Sequence, residues 1–117
     1  MTSTGFVRIT TSVVVAIAAG AFSASAFADV DAAAAKKLAR KDHCLRCHAV
    51  AKKKEGPSYQ AVAYKYKGQP DAAEKLYQHL TSGEKVKLSD GHEENHKIAK
   101  AKDDAEIRNL IAWILAQ

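Results

Sequence analysis

The sequence predicts an all-α domain of four helices around one covalently attached haem, and three observations carry that reading. Helix-forming composition or helical apolar spacing marks four segments, opening near Asp31, Tyr59, Asp71 and Asp103. No strand-length run of alternating β-branched residues occurs between them. The run Cys44-Leu45-Arg46-Cys47-His48 is a C-x-x-C-H motif, the attachment signature of a c-type haem.

The elements follow in chain order. Asp31 to Arg40 is rich in Ala, Lys, Leu and Arg and leads directly into the motif, so the first helix is expected from about Asp31 to Cys47. A polar run, Lys52-Lys53-Lys54-Glu55, ends at Gly56-Pro57, where Pro blocks a helix and a turn is expected. Tyr59, Val62, Ala63 and Tyr66 fall on one face of a second helix, which Gly68-Gln69-Pro70 ends. Asp71-Ala72-Ala73-Glu74 has the form of a capping box and opens a third helix, with Leu76 and Leu80 on one face and Gly83 as its stop. Glu84 to Lys102 lacks periodicity, is polar around Leu88 to His96, and reads as a long functional loop. Asp103-Asp104-Ala105-Glu106 places acidic residues in the first turn of the last helix. Its stripe of Ile107, Leu110, Ile111 and Ile114, joined by Trp113, should pack on the first helix near Leu38.

Two thiols three positions apart on one turn can add to the two vinyl groups of one porphyrin, and the adjacent His48 then lies under the iron. Other uses of the pair fit less well. A thioredoxin-like redox pair needs a βαβ context that is absent before Cys44. A structural zinc site needs further ligands, and the chain has no other cysteine. A disulfide across C-x-x-C closes too small a loop to add much stability.

Residues 1–28 carry one charged side chain, Arg8, then an apolar run from Val13 to Ala19 and small residues up to Ala26-Phe27-Ala28. That is the pattern of a secretory signal peptide. Gly20, Ser23 and Ser25 interrupt the apolar part, which falls short of the roughly 18–20 residues of a membrane span. Residues 29–117 are then a single exported domain with no transmembrane segment, expected in the periplasm. Export agrees with the motif, because bacterial thioether bonds to haem are made outside the cytoplasmic membrane. A domain this short is marginal on its side chains alone, and a porphyrin supplies an apolar plate for its helices.

The net charge is +5, and loss of Arg8 lowers it by one. Lysines are spread over Lys36, Lys37, Lys41, Lys52 to Lys54, Lys65, Lys67, Lys97, Lys100 and Lys102. An exported chain without an aromatic and basic reading surface is a poor nucleic-acid binder. A redox protein partner, acidic or a membrane-bound oxidoreductase, fits better.

From residue 31 to the end the chain resembles a short bacterial class I cytochrome c. The resemblance rests on the order helix, Cys44-x-x-Cys47-His48, Gly56-Pro57-Ser58-Tyr59, a helix ending at Tyr66-Lys67-Gly68-Gln69, another helix, a ligand loop, and a last helix with Trp113-Ile114-Leu115. It implies a class I cytochrome c fold holding one haem c through Cys44 and Cys47, and a Pro57 carbonyl that accepts a hydrogen bond from His48, raising its basicity. One departure matters. The family's distal iron ligand is a methionine before the last helix, and Met1 is the only methionine here. The candidates are His43, His79, His92 and His96, with Lys and Asn as weaker substitutes. His43 adjoins Cys44 on the proximal side, and His79 lies within the third helix as a surface or packing residue. His96 stands seventeen residues before Trp113, close to the family spacing, and His92 twenty-one. The expected pair of iron ligands is therefore His48 and His96, with His92 or an open site as the alternatives.

The function expected is a monohaem electron carrier that transforms no substrate. The alternative is a gas-binding or peroxide-reactive haem protein with an open or labile distal site, which the missing methionine motivates. Cleavage after Ala28 sets the first test: the intact mass of the exported holoprotein should correspond to a chain beginning at Asp29. A mass retaining residues 1–28 overturns the assignment and reopens a membrane anchor.

Overall fold

In the computed structural model, Met1 and residues 29–117 are described, so residues 2–28, nearly all of the expected signal peptide, lie outside the described residues. The described residues form four α-helices, α1 (Ala32–Lys41), α2 (Tyr59–Tyr66), α3 (Ala72–Ser82) and α4 (Asp104–Leu115), with a short antiparallel pair, β1 (Lys85–Lys87) and β2 (Glu93–Asn95), between α3 and α4. Among the described residues no helix is long and apolar enough to cross a membrane.

Helix α1 begins where Asp31 accepts a hydrogen bond from Ala34 N–H at 2.9 Å, satisfying one of the free donors of its first turn. Asp31 also binds Asn109 of α4 through its own backbone, donating to Asn109 Oδ1 at 2.9 Å and accepting from Nδ2 at 2.8 Å. Ala35, Leu38 and Ala39 face Leu110, Ile111 and Ile114 in one core, so the expected packing near Leu38 is present. Two fully buried alanines let the α1 and α4 backbones approach closely.

Helix α1 stops at Lys41 rather than reaching Cys47. His43 adopts φ of 61°, a left-handed conformation that ends a helix, and Cys44–Arg46 forms a single 3-10 turn beyond it. The break has tertiary partners: Asp42 accepts from Lys100 N–H at 2.7 Å, and Lys41 Nζ donates to Lys100 O at 2.5 Å. Good helix formers lose here to a tie between the motif and the segment before α4.

Ser58 caps α2 by accepting from Ala61 N–H at 3.1 Å. Gly83, at φ of 66°, ends α3 as its sequence position implies. The capping box expected at Asp71 is absent. Asp71 makes no capping bond and pairs with Lys75 at 3.0 Å, while Glu74 accepts from Gln78 and faces Arg108 at 3.7 Å. At α4, Asp103 accepts from Glu106 N–H at 3.1 Å and Glu106 reaches back to Lys102 N–H at 3.0 Å.

The stretch from Glu84 to Lys102 is not wholly a loop. Lys85, Val86 and Lys87 pair with Asn95, Glu94 and Glu93, so Lys87 stands opposite Glu93. Only Val86 of these six is even half-buried. A hairpin without an inward apolar face leaves no period-2 pattern, which is why it was illegible as strand. Opposite charges across the ladder supply part of its pairing instead.

Candidate haem site

Helices α2, α3 and α4, the 3-10 turn and the hairpin surround a cavity of about 810 Å³, large enough for a porphyrin-sized ligand. Cys44, Cys47 and His48 line it, and so do Tyr59, Leu110 and His96. Both cysteines are half-buried and form no disulfide with each other. The 3-10 turn closes with Cys47 N–H to Cys44 O at 3.2 Å and His48 N–H to the same carbonyl at 3.0 Å, which keeps the two thiols and the imidazole within one turn.

His48 is held on several sides. Its Nδ1–H donates to the Pro57 carbonyl at 2.7 Å. A carbonyl only accepts, so Nδ1 carries the proton and Nε2 keeps a free lone pair. The Tyr59 ring lies nearly parallel to the imidazole, 5.4 Å away at 15°, and packs edge-on against Trp113, also at 5.4 Å. Gly56 abuts the ring so closely that a Cβ there would fall 2.4 Å from His48 Cε1. The turn that brings Gly56 in is pinned by Gly56 N–H to Cys47 O at 2.8 Å and Tyr59 N–H to Ala49 O at 2.9 Å. Burial, the largest influence, holds the His48 pKa below the ordinary imidazole range, opposed by the Pro57 bond. A neutral imidazole is the form that binds a metal.

The other histidines separate clearly. His43 is exposed in the left-handed bend. His92 is exposed in the hairpin turn, with Nδ1 2.5 Å from Asp90. His96 is half-buried, its ring centre 6.2 Å from that of His48, and its Nδ1 is buried with no hydrogen-bond partner among the described residues. Burial, then His79 and His48, hold its pKa low. His79, expected to be a surface or packing residue, lines the cavity with its ring centre 4.2 Å from that of His96.

The donor set fits a haem: two thiols and an imidazole within one turn, an apolar wall from Leu76, Leu80, Leu110 and Ile114, and a second, half-buried imidazole, His96, across from the first. A small helical shell built around such a cavity defines a class I c-type cytochrome. The chain belongs to the cytochrome c family, whose model matches residues 32–117. It carries one haem c attached through Cys44 and Cys47, as a monohaem electron carrier of that family. Among solved structures it is similar to the class 1 cytochrome MtoD of Sideroxydans lithotrophicus ES-1, with 55% identity and a TM-score of 0.72 over 74% of this chain and 96% of that one. It is similar also to cytochrome c552 of Nitrosomonas europaea, with 30% identity and a TM-score of 0.53 over 68% and 95%. Cytochrome c-552 of Hydrogenobacter thermophilus is 32% identical over 81 residues, 69% of this chain and 79% of that protein.

Sequence reasoning treated Gly56 only as a turn residue, whereas its lack of a side chain makes room for the imidazole. Gly56→Ala should destabilise the holoprotein by about 1–3 kcal/mol, as overpacking does, and shift its Soret band. A denaturant midpoint and a visible spectrum equal to those of the unsubstituted protein would show that the ring has room to move.

Proposed function

We propose that this cytochrome is a periplasmic electron carrier whose iron is held between His48 and His96. The observation that carries the reading is the 6.2 Å between the two ring centres. Imidazole nitrogens bound at about 2.0–2.1 Å on either side of one metal leave their ring centres roughly 6.3 Å apart. His92, exposed and engaged by Asp90, has no comparable relation to His48. Haem supplies one-electron chemistry. Around it His48 offers Nε2 while Pro57 holds its other nitrogen, and His96 offers the more basic ligand where relatives use methionine. That exchange lowers the reduction potential relative to His/Met cytochromes.

The partner surface also follows from placement. Lys52 to Lys54 are the densest run of cations, yet Lys54 Nζ is engaged by Leu45 O at 2.5 Å. The exposed cations bordering the cavity are Arg46, Lys65, Lys87 and Lys97, together with Lys75, which is paired with Asp71. Of the three carboxylates on the same rim, Glu55 and Glu84 are occupied by Ser89 and His79, which leaves Glu94 against the cations. A rim of this sign favours an acidic redox protein, met where the haem edge comes nearest to solvent.

Two experiments test these statements. His96→Ala should turn the ferric protein high-spin and let added imidazole restore a low-spin spectrum, while His92→Ala stays low-spin. The reverse result makes His92 the ligand, and immediate CO binding by the unsubstituted ferrous protein would mark an open iron instead. Electron transfer to an acidic partner should slow as ionic strength rises through about 0.1 M, where the screening length is about 10 Å, and Lys87→Glu should slow it more than Lys52→Glu. Rates flat with salt overturn charge steering.

A further inference from the structure

The two axial imidazoles are oriented by different means. Pro57 fixes the plane of His48 by a hydrogen bond, the usual way a ligating histidine is held. His96 has no such bond. The Lys97 backbone lies near its ring without reaching hydrogen-bond geometry, and Nδ1 is unpartnered among the described residues. Its ring is instead in contact with another ring, His79, tilted at 43°.

That contact belongs to a larger clamp at the end of α3. The Glu84 carboxylate accepts from His79 Nδ1–H, which fixes the orientation of the His79 ring. The Glu84 backbone carbonyl accepts from His96 N–H at 2.8 Å. Three residues on, Ala99 N–H donates to Leu80 O, also at 2.8 Å. Gly83 turns the chain between these two anchors, and a Cβ there would press on Ile98 at 3.2 Å. One residue, Glu84, therefore holds both the main chain of His96 and the ring that lies against its imidazole.

We propose that His79, fixed by Glu84, is a positioning residue that sets the plane of the His96 imidazole and slows its departure from the iron. The inference rests on His96 as the distal ligand. A ligating ring without a hydrogen bond can turn about its bond to the metal. A neighbouring ring 4.2 Å away removes that freedom by packing. The orientation of an axial imidazole is read in the g values of the ferric haem, and its departure is read by the rate at which cyanide replaces it.

The experiment uses the full holoprotein with His79→Ala, His79→Phe, Glu84→Gln and His96→Ala. His79→Ala should remain low-spin, shift its largest g value, and bind cyanide faster by a factor of about 2–10, the span expected from loss of one aromatic pair. His79→Phe, which restores a ring without the Glu84 bond, should return the cyanide rate to within about twofold of the unsubstituted protein but leave the g values displaced. Glu84→Gln, which keeps an acceptor for His79, should stay near the unsubstituted protein in both. If His96→Ala turns high-spin while His79→Ala matches the unsubstituted protein in g values and cyanide rate, the clamp is overturned and the ligand assignment stands. If His79→Ala turns high-spin and His96→Ala stays low-spin, His79 is itself the ligand and both readings fail.

Discussion

The hydrogen bond from His48 to the Pro57 carbonyl is the interaction on which the site depends. It fixes which nitrogen carries the proton, and so which nitrogen is free for a metal. It also joins the attachment motif to the turn that opens α2, because Gly56 and Pro57 must come within contact of the imidazole for the bond to form. That approach demands glycine at 56, and it brings Tyr59, the first residue of α2, flat against the same ring. Tyr59 in turn packs on Trp113 of α4. A chain of contacts thus runs from the His48 imidazole to the centre of the core, and the core helix α4 is coupled to that imidazole through two aromatic rings.

The opposite wall is assembled from parts distant in sequence. Its backbone anchors link the distal segment to α3, and the hairpin that carries the segment has almost no buried surface of its own. The hairpin is instead tied sideways. Ser89 at its tip binds the Glu55 carboxylate, which belongs to the proximal loop. The two walls of the cavity are therefore joined at the rim by a polar contact and at the base by α4. Segments with few buried apolar contacts and exposed backbone bonds open first, and the hairpin is such a segment.

How legible all this was in the sequence follows from the range of the interactions. The attachment motif, the Gly-Pro turn, the stripe of α4 and the stop at Gly83 are local, and the chain states them within a few residues. The overrun of α1 shows the limit. Arg40, Lys41, Leu45 and Arg46 favour helix by propensity, and only Lys100, far along the chain, supplies the bonds to Asp42 and Lys41 that accompany the break at His43. Asp71 fails as a cap for a similar reason: Lys75, one turn on, offers its carboxylate a charged partner that competes with the backbone donors. The hairpin has no inward face, so it leaves no alternation to read.

The histidines make the same point about function. His96 could be favoured over His92 from spacing, because the position of a ligand relative to the last helix is a property of loop length, and loop length is written in the sequence. The setting of His79 could not, since it depends on α3 ending where it does and on Glu84 following the left-handed Gly83. On the reading proposed above, the replacement of methionine by histidine removed a flexible thioether and put in its place a flat ring whose rotation matters. A thioether needs only to reach the iron, whereas an imidazole must also be given a plane. Pro57 does this for His48 from nine residues away in sequence, and the distal side, where Nδ1 of His96 has no hydrogen-bond partner among the described residues, does it with a second ring. The demand for a plane is what ties the end of α3 to the distal ligand.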